Sequence, residues 1–142
     1  MIHDAVEDPA SHSPAELRAA YETRLRTVVE THGVDAVADA TGVDADRLAD
    51  LVDGGSPELT VEEAAAVLGV EPDVDAEVVV YELRDHLLMG MTTGVLDVDT
   101  LASEVDADLT GQEVQQAIEG RIPMTLAQLA ELQRAIAARG AR

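Results

Sequence analysis

Thr60-Val61-Glu62-Glu63-Ala64-Ala65-Ala66-Val67-Leu68-Gly69 decides the fold class. A hydroxyl residue three positions before Glu is a capping box, in which each side chain satisfies the other's backbone N–H at a helix start. Small and apolar helix formers follow, and Gly marks the stop. The same punctuation recurs in both directions. Upstream, Ser13-Pro14-Ala15-Glu16 opens a segment with Leu17, Ala20, Tyr21, Leu25, Val28 and Val29 at 3–4 spacing, closed by Gly33. A short helix fits Asp35 to Thr41 before Gly42, and Asp44 caps another that presents Leu48, Leu51 and Val52 and stops at Gly54. Downstream, Asp75 caps a long helix with Val78, Tyr81, Leu87, Leu88 and Met91 on its apolar side. Val78-Val79-Val80-Tyr81 alone reads as a strand, but the helix-periodic continuation Glu82 to His86 argues against that. Asp99 caps a short helix containing Leu101 and Ala102. Thr110-Gly111-Gln112-Glu113 and Thr125-Leu126-Ala127-Gln128 open the last two, which end at Gly120 and near Gly140. The expectation is an all-α chain of about eight helices with no strand.

Composition narrows the function. The 142 residues carry 29 acidic and nine basic side chains, all nine being Arg, for a net charge of −20. Cys is absent, which excludes disulfides, thiol nucleophiles and cysteine zinc sites. Such an acid excess is unfavourable for general nucleic-acid binding, which needs clustered cations. Tyr21 and Tyr81 are too few aromatics for a base-stacking platform. Hydrophobic residues at 46% suffice for a globular core built from Val, Leu, Ile, Ala and Met. No basic, then apolar, leader and no membrane-length apolar run is present, so a soluble, cytoplasmic protein is expected. Acid excess without Lys suits molar intracellular salt, where the Debye length shrinks to roughly 3 Å and surface repulsion is screened. Acidic clusters therefore read first as solvated surface.

The two halves look duplicated. Tyr21-Glu22-x-Arg24 recurs as Tyr81-Glu82-x-Arg84, and Gly33-Val34 as Gly94-Val95. Asp35-x-Val37-Ala38 recurs as Asp99-x-Leu101-Ala102, Asp53-Gly54-x-x-Pro57 as Glu119-Gly120-x-x-Pro123, and Thr60-Val61 as Thr125-Leu126. The matches keep their order. This divides the chain into a flexible tail (1–12) and two tandem four-helix units, 13–72 and 73–142, packed together.

Within each unit, two short helices, a turn and a Gly-x-x-Pro exit resemble the helix-turn-helix of the lambda-repressor-like family. In the first unit the resemblance lies in Val37-Ala38, Gly42-Val43 and Asp53-Gly54-x-x-Pro57. In the second it lies in Leu101-Ala102 and Glu119-Gly120-x-x-Pro123, where the turn Gly is missing and Asp106 to Leu109 are extra. The character is therefore degenerate. The whole chain also resembles a small haloarchaeal family of unassigned function, through His86-Leu87-Leu88-Met89-Gly90-Met91-Thr92-Thr93 and Leu109 to Arg121.

The resemblance raises the question of DNA contact. In the first unit the second short helix carries Asp44, Asp46, Asp50 and Asp53 against Arg47 and would be repelled by phosphate. The second unit offers Thr110, Gln112, Gln115 and Gln116, and Gln pairs bidentately with adenine. Arg121 follows, with Arg134, Arg139 and Arg142 beyond. From Thr110 to Arg142 there are four Arg and three acids, whereas Met1 to Leu109 holds five Arg and 26 acids. Such asymmetry marks an interaction end. Thr110, Gln112, Gln115, Gln116, Arg121 and Arg134 are the candidate partner or DNA contacts.

Catalytic and metal signatures are missing. Asp106-x-Asp108-x-Thr110-Gly111 resembles a calcium loop, but its twelfth position is Ala117, where a bidentate Glu is needed. His3, His12, His32 and His86 form no ligand spacing, and no phosphate loop or nucleophile elbow is present. Neither enzyme activity nor a cofactor or metal is expected. Gly90-Met91-Thr92-Thr93-Gly94 allows close helix approach, either at a homodimer seam or at the joint between the halves. The leading expectation is a noncatalytic helical interaction protein of a halophilic cytoplasm, contacting a protein partner or a second copy near residues 110–142. A DNA-binding transcriptional regulator using the second unit is the alternative. No membrane partner is expected.

Overall fold

The computed structural model describes residues 2–106 and 108–140. Eight α-helices follow a short 3-10 helix at Pro9–Ser11. They are α1 (Pro14–His32), α2 (Val34–Thr41), α3 (Ala45–Val52), α4 (Val61–Leu68), α5 (Ala76–Thr93), α6 (Val98–Glu104), α7 (Gly111–Glu119) and α8 (Leu126–Gly140). The chain is all-α. The four expected capping boxes all form, at Ser13/Glu16, Thr60/Glu63, Thr110/Glu113 and Thr125/Gln128. Asp44 and Asp75 cap α3 and α5. The cap of α6 is Asp97, which accepts from the Thr100 N–H at 2.7 Å, and not Asp99. Asp99 instead lies against Gly111, where any Cβ would collide with its carboxylate.

Helix α1 packs along α8, and α4 packs along α5. Helices α2 and α3 pair with each other, as do α6 and α7. One continuous core results. It joins Leu17, Tyr21, Leu25 and Val29 of α1 to Leu126, Leu129, Leu132 and Ile136 of α8 and to Val79, Leu83 and Leu87 of α5. The segments leading into α4 and α8 also meet directly. The Val61 N–H donates to the Met124 carbonyl at 2.7 Å, and the Leu126 N–H donates to the Leu59 carbonyl at 2.9 Å. This antiparallel bridge is centred on Thr60 and Thr125.

Three features differ from the sequence reading. First, α5 buries Val79, Leu83, Leu87 and Met91, whereas Val78, Tyr81 and Leu88 face outward. Two apolar stripes run along this helix, and the i, i+4, i+8, i+12 one is turned in because α4 and α8 pack there. Secondly, the segment read as a flexible tail lies against the body. Ile2 is fully buried, the His3 carbonyl accepts from Gln133 Nε2 at 2.7 Å, and the 3-10 helix packs on α8. Thirdly, Gly90 lies at a contact inside the second unit and not at the joint between the halves: a Cβ there would press on Ile136 of α8. Met91 is buried beside it, while Met89 is exposed.

Candidate functional site

Of the residues singled out in the last third of the chain, Gln112, Gln115 and Gln116 share α7, Arg121 meets Gln115 at one carboxylate, and Arg134 lies elsewhere on α8. Thr110 is exposed, and its hydroxyl accepts from the Glu113 N–H at 3.1 Å, so it serves as the α7 cap. Gln112 and Gln115 are exposed on α7, and Gln116 is half-buried. Gln115 Nε2 donates to Glu119 Oε1 at 2.9 Å, and Arg121 Nε sits 3.2 Å from Glu119 Oε2. One carboxylate thus occupies both donors. Gly120 (φ 80°) takes the left-handed turn that directs the chain away after α7. Arg134, on α8, lines a different depression with Glu104, Asp106, Glu131 and the start of α1.

The acidic face of α3 stands open to solvent. Asp46, Asp50 and Asp53 are exposed, and Arg47 turns away to a two-pronged pair with Glu63, at 3.0 and 2.6 Å. That pair, chiefly through its hydrogen bonds, holds the Glu63 carboxyl below the usual carboxylate range. The most buried carboxylate, Glu22, accepts from Ser56 Oγ at 2.9 Å and lies 3.4 Å from Arg18. Arg18 also donates to the Ser56 and Pro57 carbonyls, so this group ties the loop before α4 to α1. His86 stacks on His3 with ring centroids 4.7 Å apart. Burial, then the neighbouring imidazole, lowers its pKa against the opposing pull of Asp4 and Asp85. Among the described residues no three His, Asp or Glu side chains gather as metal ligands would.

The outward face of α5 is different in kind. Among the described residues the large apolar side chains that stand exposed are Val78, Tyr81, Leu88, Met89 and Val95, all on α5 or the turn after it. Tyr81 is 71% exposed, Met89 61% and Val95 86%. Tyr81 and Val78 edge an open groove of about 660 Å³ between α4 and α5. Leu88 edges two further depressions, one against Leu96 and one against Val98 and Ile118. Val95 adds backbone strain to exposure. Its φ of 51° is left-handed, a region that β-branched residues avoid. The Leu96 N–H reaches the Met91 carbonyl at 2.9 Å and the Val95 N–H the Thr92 carbonyl at 3.2 Å, which makes Val95 the residue a Schellman turn normally gives to Gly. Gly94 stands one position too early for that duty. The repeat pattern equates Tyr81 with buried Tyr21, which hid this face in the sequence; the available signal was the second apolar stripe, Val78, Tyr81 and Leu88.

The fold and this face define an all-α chain with a continuous apolar core and, among the described residues, an uncovered apolar stripe on α5. The chain belongs to a family of unknown function, DUF5791, whose model matches residues 17–139. No curated protein and no solved structure matches it. Among the described residues no helix is long and apolar enough to cross a membrane.

Proposed function

We propose that this chain is a noncatalytic interaction protein that docks a protein partner on the outward face of α5. The observation that carries this reading is that, among the described residues, the large exposed apolar side chains all fall on α5 or the turn after it, in a chain of net charge −20. Contiguous apolar surface costs solvation free energy unless something covers it, and such patches mark binding sites. Covering a Tyr or Met fully contributes about 1.5–3 kcal/mol. The site therefore moves from residues 110–142 to α5, with Leu88 linking it to the start of that region through Gln115, Ile118 and Glu119.

The alternative, a DNA-binding regulator, draws support from the exposure of Gln112 and Gln115 and from the paired short helices α2–α3 and α6–α7, the degenerate helix-turn-helix units. Glu119 weighs against it, because it engages both Gln115 and Arg121 and would face phosphate. Recovery of the chain from cells at native salt separates the two. A defined protein bound to the wild type and lost with the Tyr81→Ser/Met89→Ser double variant supports docking. A defined DNA fragment retained by both forms refutes it and favours the regulator.

Two features of origin belong to the same reading. Duplication of a four-helix unit is supported by matched packing, α1 on α8 as α5 on α4, and by the pairing of Thr60 with its counterpart Thr125. A salt-loving cytoplasm is supported by 29 carboxylates without one Lys.

A further inference from the structure

We infer that the occupant of the α5 face is a cationic amphipathic helix of a partner protein, and not a second copy of this chain. The inference rests on the docking reading above and specifies its ligand. The apolar stripe runs from Val78 to Val95, a length of roughly 25 Å at 1.5 Å per residue, which matches a helix of about 17 residues laid alongside. Its floor is uneven. Ala65 of α4 and Ala76 of α5 leave room in the groove beside Tyr81, while Met91, with its flexible thioether, lines both depressions beside Leu88. Helix-in-groove recognition uses apolar anchors at i, i+3, i+4 and i+7, and a floor of this kind suits it.

The rim decides the charge. Glu62, Asp75 and Glu77 stand at one end of the stripe, Asp85 lies exposed midway, and Asp97 and Glu119 stand at the other end. The cations nearby are engaged: Arg84 lies 3.4 Å from Glu62, and Arg121 is paired with Glu119. Asp75, Glu77, Asp85 and Asp97 thus leave net negative charge beside the apolar side chains, while Glu62 and Glu119 are shared with Arg84 and Arg121. A second copy would bring a further −20 against it, and among the described residues Arg84, Arg121 and Arg139, the cations beside the stripe, are each already paired with a carboxylate. Arg or Lys flanking an apolar ridge answers every rim position. Contact pairs shielded inside such an interface are screened much less by salt than pairs in open solvent, so the preference survives in molar KCl.

Two synthetic peptides of about 18 residues test this. Both contain only Leu, Ala and Arg in equal numbers; one places Leu at helical spacing and the other scrambles the order. Binding of each labelled peptide to the whole chain is followed by fluorescence anisotropy in molar KCl, and the chain alone is examined by sedimentation equilibrium. The inference expects a monomer that binds the amphipathic peptide at least about tenfold more tightly than the scrambled one. Tyr81→Ser/Met89→Ser keeps the circular dichroism spectrum and erases that difference, while Asp46→Ser/Asp50→Ser on α3 retains it. Equal binding of the two peptides by the wild type overturns the inference. A dimer that the Tyr81/Met89 variant dissolves also overturns it, but leaves α5 as the docking face. The docking reading itself falls if the partner recovered from cells is indifferent to that same variant, or if a defined DNA fragment is recovered with both forms.

Discussion

Tyr21→Phe tests the joint between α1 and α8. Tyr21 and Gln133 are 1% and 2% exposed, and the phenol donates to Gln133 Oε1. The other end of the amide is committed, since Gln133 Nε2 donates to the His3 carbonyl at 2.7 Å. Gln133 therefore cannot rotate to find a new donor without abandoning His3. Removing the hydroxyl leaves a buried carbonyl oxygen unsatisfied, which costs about 1–3 kcal/mol. In a chain of this length that lowers Tm by roughly 3–10 °C. Gln133→Leu removes the orphaned oxygen, so the double variant should lose less than the sum of the singles, with a coupling of about 0.5–3 kcal/mol. Urea unfolding in molar KCl, followed by circular dichroism, gives all four free energies. A Tyr21→Phe protein within about 0.5 kcal/mol of the wild type, or strict additivity in the double variant, refutes the network.

Val95→Gly should stabilise the chain by about 0.5–1 kcal/mol, because the left-handed cost of roughly 1–2 kcal/mol exceeds the entropy that Gly adds to the unfolded state; an unchanged or lower Tm contradicts the strain. Gly90→Val should destabilise by about 1–3 kcal/mol through overpacking against Ile136, and thermal melting reads it. Acid should weaken the fold in two stages. His86 holds its proton less tightly folded than unfolded, so stability is full above about pH 6.5 and declines as pH falls through that value. Glu63, with a lowered folded pKa, contributes stability present above about pH 4.3 and lost as pH falls through its folded value. Melting temperatures against pH should lose the upper stage in His86→Gln and the lower one in Glu63→Gln.

Helix number and helix starts were legible in the sequence because capping is local. Ser13 with Glu16, or Thr110 with Glu113, is settled within one turn. Where two local solutions compete, the sequence is silent. Asp97 and Asp99 both suit a cap; Asp97 takes the Thr100 N–H, and Asp99 lies against Gly111. Charge bookkeeping pointed to residues 110–142, yet it could not see that Glu119 would hold both Gln115 and Arg121.

The sequence by itself therefore determined the all-α class, the boundaries of most helices and the acidic surface, since each follows from contacts within a few residues or from composition. Only the tertiary structure decided which stripe of α5 is core and which is open. Val79, Leu83 and Leu87 compete with Val78, Tyr81 and Leu88 on nearly equal hydrophobic terms. The choice belongs to α4 and α8, more distant along the chain, whose packing fixes the rotation of α5 about its own axis. The same choice leaves Tyr81 in solvent while its counterpart Tyr21 is buried on α1.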